Sequence, residues 1–347
     1  MKNRMKEKVL ACVLASVMVL SMAGCANSGG DKSSGGDSKA QEELIPVSFR
    51  LNYAAQGLHV PFYYALEQGY YEEEGLDVTI GEGTGGGTTA KLVGAGEDDI
   101  GLVDAASVAS AVDNGIPLKV VCPVYAVSGF AVVSLAEAGI EEPKDIEGKK
   151  VGVTTGDSPQ NLFPAFAAAN GIDESTINYV MMDSNAKVTS LLNGDVDCVL
   201  GGADDQAITL RNMGEEVNVL RYSDYGAAAV GLSIVASDDM IAKNPEVVQK
   251  FISASMKAWD ECRENSDEQI EVFMKKFGTL DEEVVKGSLE VALDSLFAED
   301  SETLGDVSET DWEACRNLLV EYLGLSSDMS AEELYTYDCL PDNLPAK

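Results

Sequence analysis

The chain has 347 residues, 45% of them hydrophobic, and a formal net charge of −35 from 59 acidic against 24 basic side chains. Such a surface repels nucleic acid and acidic lipid, so neither is a charge-driven partner. A single histidine, His59, leaves no multi-histidine metal site, and no GxSxG motif marks a hydrolase of the familiar sort.

At the start of the chain, Lys2, Arg4, Lys6 and Lys8 precede an apolar run over 9–22 that is too short to span a bilayer. The run closes in Ser21-Met22-Ala23-Gly24-Cys25, small residues before a cysteine. Residues 1–24 therefore read as an export signal and Cys25 as a lipidated first residue. Residues 25–45, dense in Ser, Gly, Asp and Lys, cannot bury enough surface to fold and read as a tether. The remainder, about 300 residues, exceeds the usual size of a single core, so two lobes are expected.

The spacing predicts a strand over 47–53 that breaks at Ala54, leaving Asn52, Tyr53, Gln56 and His59 at or beyond its carboxyl end. Open α/β sheets hold ligands there. Pro61 suits the first turn of the next helix, and Gly69 and Gly75 punctuate its end before a strand over 76–80, completing a βαβ unit. A Gly-rich loop, a short helix over 88–93, a strand over 100–103 and a helix over 104–112 follow. Strands over 118–125 and 130–135 come next, the latter almost wholly apolar and so buried on both faces.

A second run alternates strands over 150–154, 177–182, 196–200 and 217–220 with helices over 159–170, 186–193 and 204–211. A returning strand over 227–236 puts the two hinge crossings at 129–132 and 230–233. Lobe 1 is thus 46–130 with 232–330, lobe 2 is 131–231, and 331–347 is a C-terminal tail. From Asn244 onward the pattern is helical, with Pro245 in a first turn. Trp259 and Trp312 sit in amphipathic stripes as core anchors, and the acidic face is either solvated or paired with basic loops of a partner.

The polar-aromatic loop before His59-Val60-Pro61-Phe62-Tyr63, the run Gly69-Tyr70-Tyr71-Glu72-Glu73-Glu74-Gly75-Leu76-Asp77-Val78, Gly94-Ala95-Gly96-Glu97-Asp98-Asp99-Ile100-Gly101 and Asp145-Ile146-Glu147-Gly148-Lys149-Lys150-Val151-Gly152-Val153 carry a resemblance. Across roughly 46–277 the chain resembles the solute-binding proteins of ABC importers, in the group serving thiamine pyrimidine precursors, sulfonates such as taurine, and nitrate. The resemblance implies a type II periplasmic-binding-protein fold, with two α/β lobes, each a mixed sheet flanked by helices. It also implies a small-molecule ligand, an ABC permease with its ATPase as partner, a monomeric state and no cofactor. The related fungal pyrimidine-forming enzyme has a cysteine-rich iron motif and a further histidine that this chain lacks.

Several strand ends could carry the chemistry. Gly81-Glu82-Gly83-Thr84-Gly85-Gly86 matches GxGxxG, and Asp104 follows at nearly the distance of a ribose contact. The helix is short and the chain is exported away from nicotinamide pools, so the plainer reading is glycines that admit a small ligand beside Thr84 and Gly85. Nucleoside triphosphate binding lacks its GK[ST]. In Thr154-Thr155-Gly156-Asp157-Ser158-Pro159, Thr155, Asp157 and Ser158 either cap a helix, meet a ligand, or both.

Asp104, Asp183, Asp204 and Tyr225 follow other strands, and none of these ends carries Lys or Arg. A carboxylate rim without fixed cations favours a neutral or cationic solute over an anion. Tyr53, Phe62, Tyr125 and Tyr225 could stack on a flat ring, although Phe62 and Tyr63 also fit a helix core. His59 is either near the ligand or hydrogen-bonded to backbone. The five cysteines beyond Cys25 form no CxxC and read as scattered buried thiols, with Cys315 and Cys339 the one pair to test. An extracellular enzyme acting on a heterocycle and a sensory binding module are the rival functions.

Overall fold

The computed structural model describes residues 43–155 and 157–347; the stretches read as an export signal and a tether, with Cys25, lie outside them up to residue 42. The chain opens with β1 (Ile45–Arg50), which buries Val47 and Phe49. It then enters α1 (Val60–Glu67) with Pro61 in the first turn. After α2 (Tyr70–Glu73) come β2 (Leu76–Gly81), α3 (Gly86–Gly94), β3 (Ile100–Asp104), α4 (Ala105–Asp113) and β4 (Leu118–Pro123). The next group is β5 (Phe130–Leu135), β6 (Lys150–Val153), α5 (Ser158–Ala169), β7 (Asn178–Met181), α6 (Lys187–Leu192), β8 (Cys198–Gly202), α7 (Gln206–Asn212) and β9 (Val217–Arg221). β10 (Leu232–Ser237) leads into α8 (Asp238–Lys243), α9 (Pro245–Glu264), α10 (Ser266–Lys276), α11 (Glu282–Asp294) and α12 (Glu309–Leu323).

Two five-stranded sheets result, ordered β2-β1-β3-β10-β4 and β7-β6-β8-β5-β9. In each, two parallel pairs are joined by one antiparallel strand in the fourth place: β10 in the first sheet and β5 in the second. That strand has just arrived from the other sheet. The crossings run over 124–129 and 222–231 and are bonded to each other: Ser128 N donates to Ala229 O at 2.8 Å and Gly231 N to Tyr125 O at 3.0 Å. The first lies ahead of the expected 129–132 because Phe130 already pairs with Gly202 in the second sheet. The returning strand is also shorter than expected, because 227–231 serve as crossing.

Behind β1, the Phe49 ring sits 5.1 Å from Phe62 and 4.9 Å from Phe251, and Phe62 meets Trp259 edge-on at 5.9 Å. Phe62, Tyr63 and Trp259 are therefore core, and Phe62 is not available to stack on a ligand. Trp312 is fully buried and stacked on Tyr335 at 4.6 Å. Its helix α12 packs on α4 of the first lobe and α5 of the second, so one apolar cluster contains Val108, Phe163 and Trp312 together. The C-terminal segment is not loose: Val120 N donates to Leu334 O and Thr336 N to Val120 O, both at 2.9 Å, along the outer edge of β4. Cys122, Cys198, Cys262, Cys315 and Cys339 are buried free thiols.

Candidate ligand-binding cleft

A cavity of about 930 Å³ lies where the carboxyl ends of the two sheets face each other. The first lobe contributes Asn52 and Tyr53 after β1, Thr84 and Gly85 after β2, Asp104 at the end of β3, and Tyr125 after β4. The second contributes Thr155, Asp157 and Ser158 after β6, Asp183 after β7, and Asp204 after β8. Of the ligand-contact candidates singled out in the sequence, His59, Phe62 and Tyr225 fall outside the wall. Tyr225 packs its ring against Phe166 at 5.9 Å and its carbonyl accepts from Asn170 at the C-terminal end of α5, whereas Ser158 at the other end lines the cavity. His59 is wholly buried behind Asn52.

The first-lobe wall is built on close backbone approach. Gly85 N donates to Asn52 O at 2.8 Å and Gly83 N to Tyr53 O at 3.0 Å. A side chain at Gly83 would collide with the Leu51 carbonyl, and Gly85 sits at φ 137°, where only glycine is unstrained. The glycines thus fit this loop to the chain's own β1 end. Asp104 caps α4 by accepting from Ser107 N at 3.0 Å, and its Oδ2 also accepts from Ser107 Oγ at 2.8 Å. Ser158 Oγ reaches the same oxygen from the other lobe at 3.0 Å. Tyr53 Oη donates across the cleft to Asn185 Oδ1 at 3.3 Å.

The second-lobe wall contains a cation that the sequence reading missed. Lys187, at the start of α6, is 1% exposed and donates to Asp157 Oδ2 at 2.7 Å and to Leu200 O at 2.6 Å. Asp157 in turn caps α5 through Gln160 N at 3.0 Å. Lys91 of α3 also borders the cavity. The expectation of a rim without Lys or Arg is therefore corrected. Lys187 lies within a helix rather than at a strand tip, and its partner is thirty residues away, so no local pattern announced it. Its charge is matched by Asp157, and the remaining carboxylates on the wall, Asp104, Asp183, Asp204 and Asp205, outnumber Lys91.

Three buried hydroxyls on this wall, Tyr125 Oη, Ser128 Oγ and Thr154 Oγ1, have no hydrogen-bond partner among the described residues. Buried polar groups are nearly always satisfied, so these three mark positions that a bound molecule or water would complete. Burial, reinforced by Asp205, raises the Asp204 carboxyl to about 6. Burial and then Asp204 hold the Tyr125 phenol well above its usual range, so it keeps its proton. His59 is pushed down to about 3 by burial and is neutral.

Two lobes joined by paired crossings, with a polar cleft at the strand ends, define a type II periplasmic-binding-protein fold. The chain belongs to the family described as NMT1/THI5 like, which matches residues 56–269. It is 26% identical over 241 residues to the riboflavin-binding protein RibY of Chloroflexus aurantiacus, covering 68% of each chain. It is 25% identical over 302 residues to a formylaminopyrimidine-binding protein of Halalkalibacterium halodurans, covering 85% of this chain and 91% of that one. A 4-amino-5-hydroxymethyl-2-methylpyrimidine phosphate synthase of Schizosaccharomyces pombe is 25% identical over 219 residues, 60% of this chain and 63% of that one. Among solved structures, the periplasmic aliphatic sulphonate-binding protein SsuA of Escherichia coli superposes with a TM-score of 0.61 at 18% identity, over 71% of this chain and 83% of that one. The fold is shared with binding proteins.

Proposed function

We propose that this protein is an extracytoplasmic solute-binding lipoprotein, held at the outer face of the membrane through Cys25, that captures a small neutral or cationic ring compound and delivers it to an ABC permease. The observation that carries the reading is the cleft itself: about 930 Å³ between two lobes, with the unpaired hydroxyls of Tyr125, Ser128 and Thr154 on its wall. That volume is in the range of organic-ligand sites and far exceeds a nitrate ion. The surplus of carboxylates disfavours a sulfonate and suits amino or imino donors on a heterocycle. Relatives named for a formylaminopyrimidine and for riboflavin support a flat ring. The mechanism is hinge closure: a guest that touches both walls favours the closed population by its added contacts.

Calorimetry with formylaminopyrimidine, riboflavin, taurine and nitrate tests this, with binding expected for a ring compound. Tight taurine or nitrate binding without a response to either ring eliminates the ligand class. The fungal synthase relative keeps an enzymatic reading in view. Mass spectrometry that finds a bound ring compound chemically converted, rather than recovered intact, would replace transport by catalysis.

A further inference from the structure

His59 is the only histidine in the chain, wholly buried, and absent from the cavity wall. Its two ring nitrogens have different jobs. Nδ1 lies 3.1 Å from Gln56 N, a backbone N–H that can only donate, so Nδ1 must carry the lone pair. The proton of the neutral ring is then on Nε2, 2.8 Å from Asn52 Oδ1. Neutrality itself follows from burial, which disfavours the imidazolium. Asn52 Oδ1 is thus the acceptor of that bond, and the orientation of the carboxamide is set from behind by the histidine. What Asn52 has left to offer the cavity is its NH2 group, for which no partner exists among the described residues.

We infer that His59 is a positioning residue that fixes Asn52 as a hydrogen-bond donor, so that the cleft selects ligands presenting an acceptor, a ring nitrogen or carbonyl oxygen, to the end of β1. The inference deepens the reading of the cleft as a ring-compound site and rests on it. The chain of contacts is short: backbone of Gln56, imidazole of His59, carboxamide of Asn52, ligand. Each link has one polarity, because a backbone N–H cannot accept and a neutral imidazole has one donor and one acceptor. The peptide geometry of residues 56–59 therefore dictates a preference expressed at the ligand. Tyr125 Oη and Ser128 Oγ, on the same wall, can rotate to donate or accept and impose no such choice. Of these three, Asn52 is the group with a fixed sign.

Two measurements on the full-length chain test this. The first needs no ligand: the single histidine gives one set of long-range ¹H–¹⁵N side-chain signals, expected to show an unprotonated Nδ1 and a protonated Nε2. A proton on Nδ1 would reverse the reading of Asn52 and overturn the inference. The second is calorimetry with formylaminopyrimidine and riboflavin as probes. Asn52→Asp keeps the oxygen that faces His59 and replaces the donor by an acceptor. It should weaken the probe that the parent binds by about 10- to 100-fold at an unchanged urea midpoint. His59→Gln can accept from Gln56 and donate to Asn52, and should stay within about threefold of the parent; His59→Leu can do neither and should lose about tenfold or more. Unchanged affinity in Asn52→Asp, or in a folded His59→Leu, sinks the inference while leaving the ring-ligand reading intact. If the parent binds neither probe, the ring-ligand reading fails, and the selectivity inferred from Asn52 falls with it.

Discussion

Asp104 in the first lobe and Asp157 in the second hold equivalent positions, each following a strand and capping the next helix through a backbone N–H 3.0 Å away. Their second oxygens differ. Asp104 Oδ2 accepts two serine hydroxyls, one of them from across the cleft, whereas Asp157 Oδ2 accepts from the buried ammonium of Lys187. The same capping device is thus tied to the opposite lobe in one case and to its own lobe in the other. The first-lobe aspartate can report closure, and the second fixes the floor on which closure occurs.

Removing each carboxylate separates the two roles. Asp104→Ala should cost about 1 kcal/mol, the usual value of a lost cap, read as a shift in the urea midpoint. Asp157→Ala loses the same cap and also strips buried Lys187 of its paired carboxylate, leaving the Leu200 carbonyl and the charge of Asp205 near it, so about 3–5 kcal/mol is expected. Equal losses in the two variants would mean that the Lys187 pair adds nothing to a plain helix cap.

Asp204 and Asp205 sharpen the contrast next, because both lie on the second-lobe wall and both carboxyls are raised, first by burial. The folded state binds the Asp204 proton more tightly than the unfolded chain does, with a midpoint of about 6 against the ordinary 3.8. As pH rises from about 4 to 6, the unfolded chain ionises first and is favoured, so stability falls through that window and levels off above it. Asp204→Asn removes this slope. The variant should match the parent near pH 4 and exceed it by roughly 1–3 kcal/mol above pH 6, with Asp205 leaving a residual slope in both. A constant offset between the two proteins across this range would show that Asp204 titrates normally.

How much of this was legible in the sequence depended on distance along the chain. The βαβ order, the role of Pro61 and the burial of Trp259 and Trp312 are written in local periodicity, and the strand ends that meet at the cleft follow from it. Lys187 was invisible because its meaning lies in Asp157 and Leu200, reached only when the sheet assembles. For His59 the loop position leaves two readings, near the ligand or hydrogen-bonded to backbone; the bond from Gln56 N matches the second, because whether a loop residue faces in or out is decided by tertiary packing. The span of α12 across α4 and α5 was hidden for the same reason, since an amphipathic stripe states that a helix is buried and not against what.

The smallest expected effect concerns Ser158, the hydroxyl that joins the two lobes at Asp104. Ser158→Ala leaves the Asp157 cap and the Lys187 pair in place, so stability should change by less than about 1 kcal/mol. Its consequence should appear in shape: without ligand, solution scattering is expected to give a larger radius of gyration than the parent, and ligand should then compact the variant more. The amplitude has a ceiling, because α12 packs on both lobes and must slide or tilt if the cleft opens. A third connection of that kind makes wide opening costly and a single hydroxyl contact correspondingly influential. Identical scattering curves for parent and variant, with and without ligand, would leave α12, the paired crossings, the packing of α11 on α7 and the Tyr53–Asn185 bond as the determinants of lobe spacing.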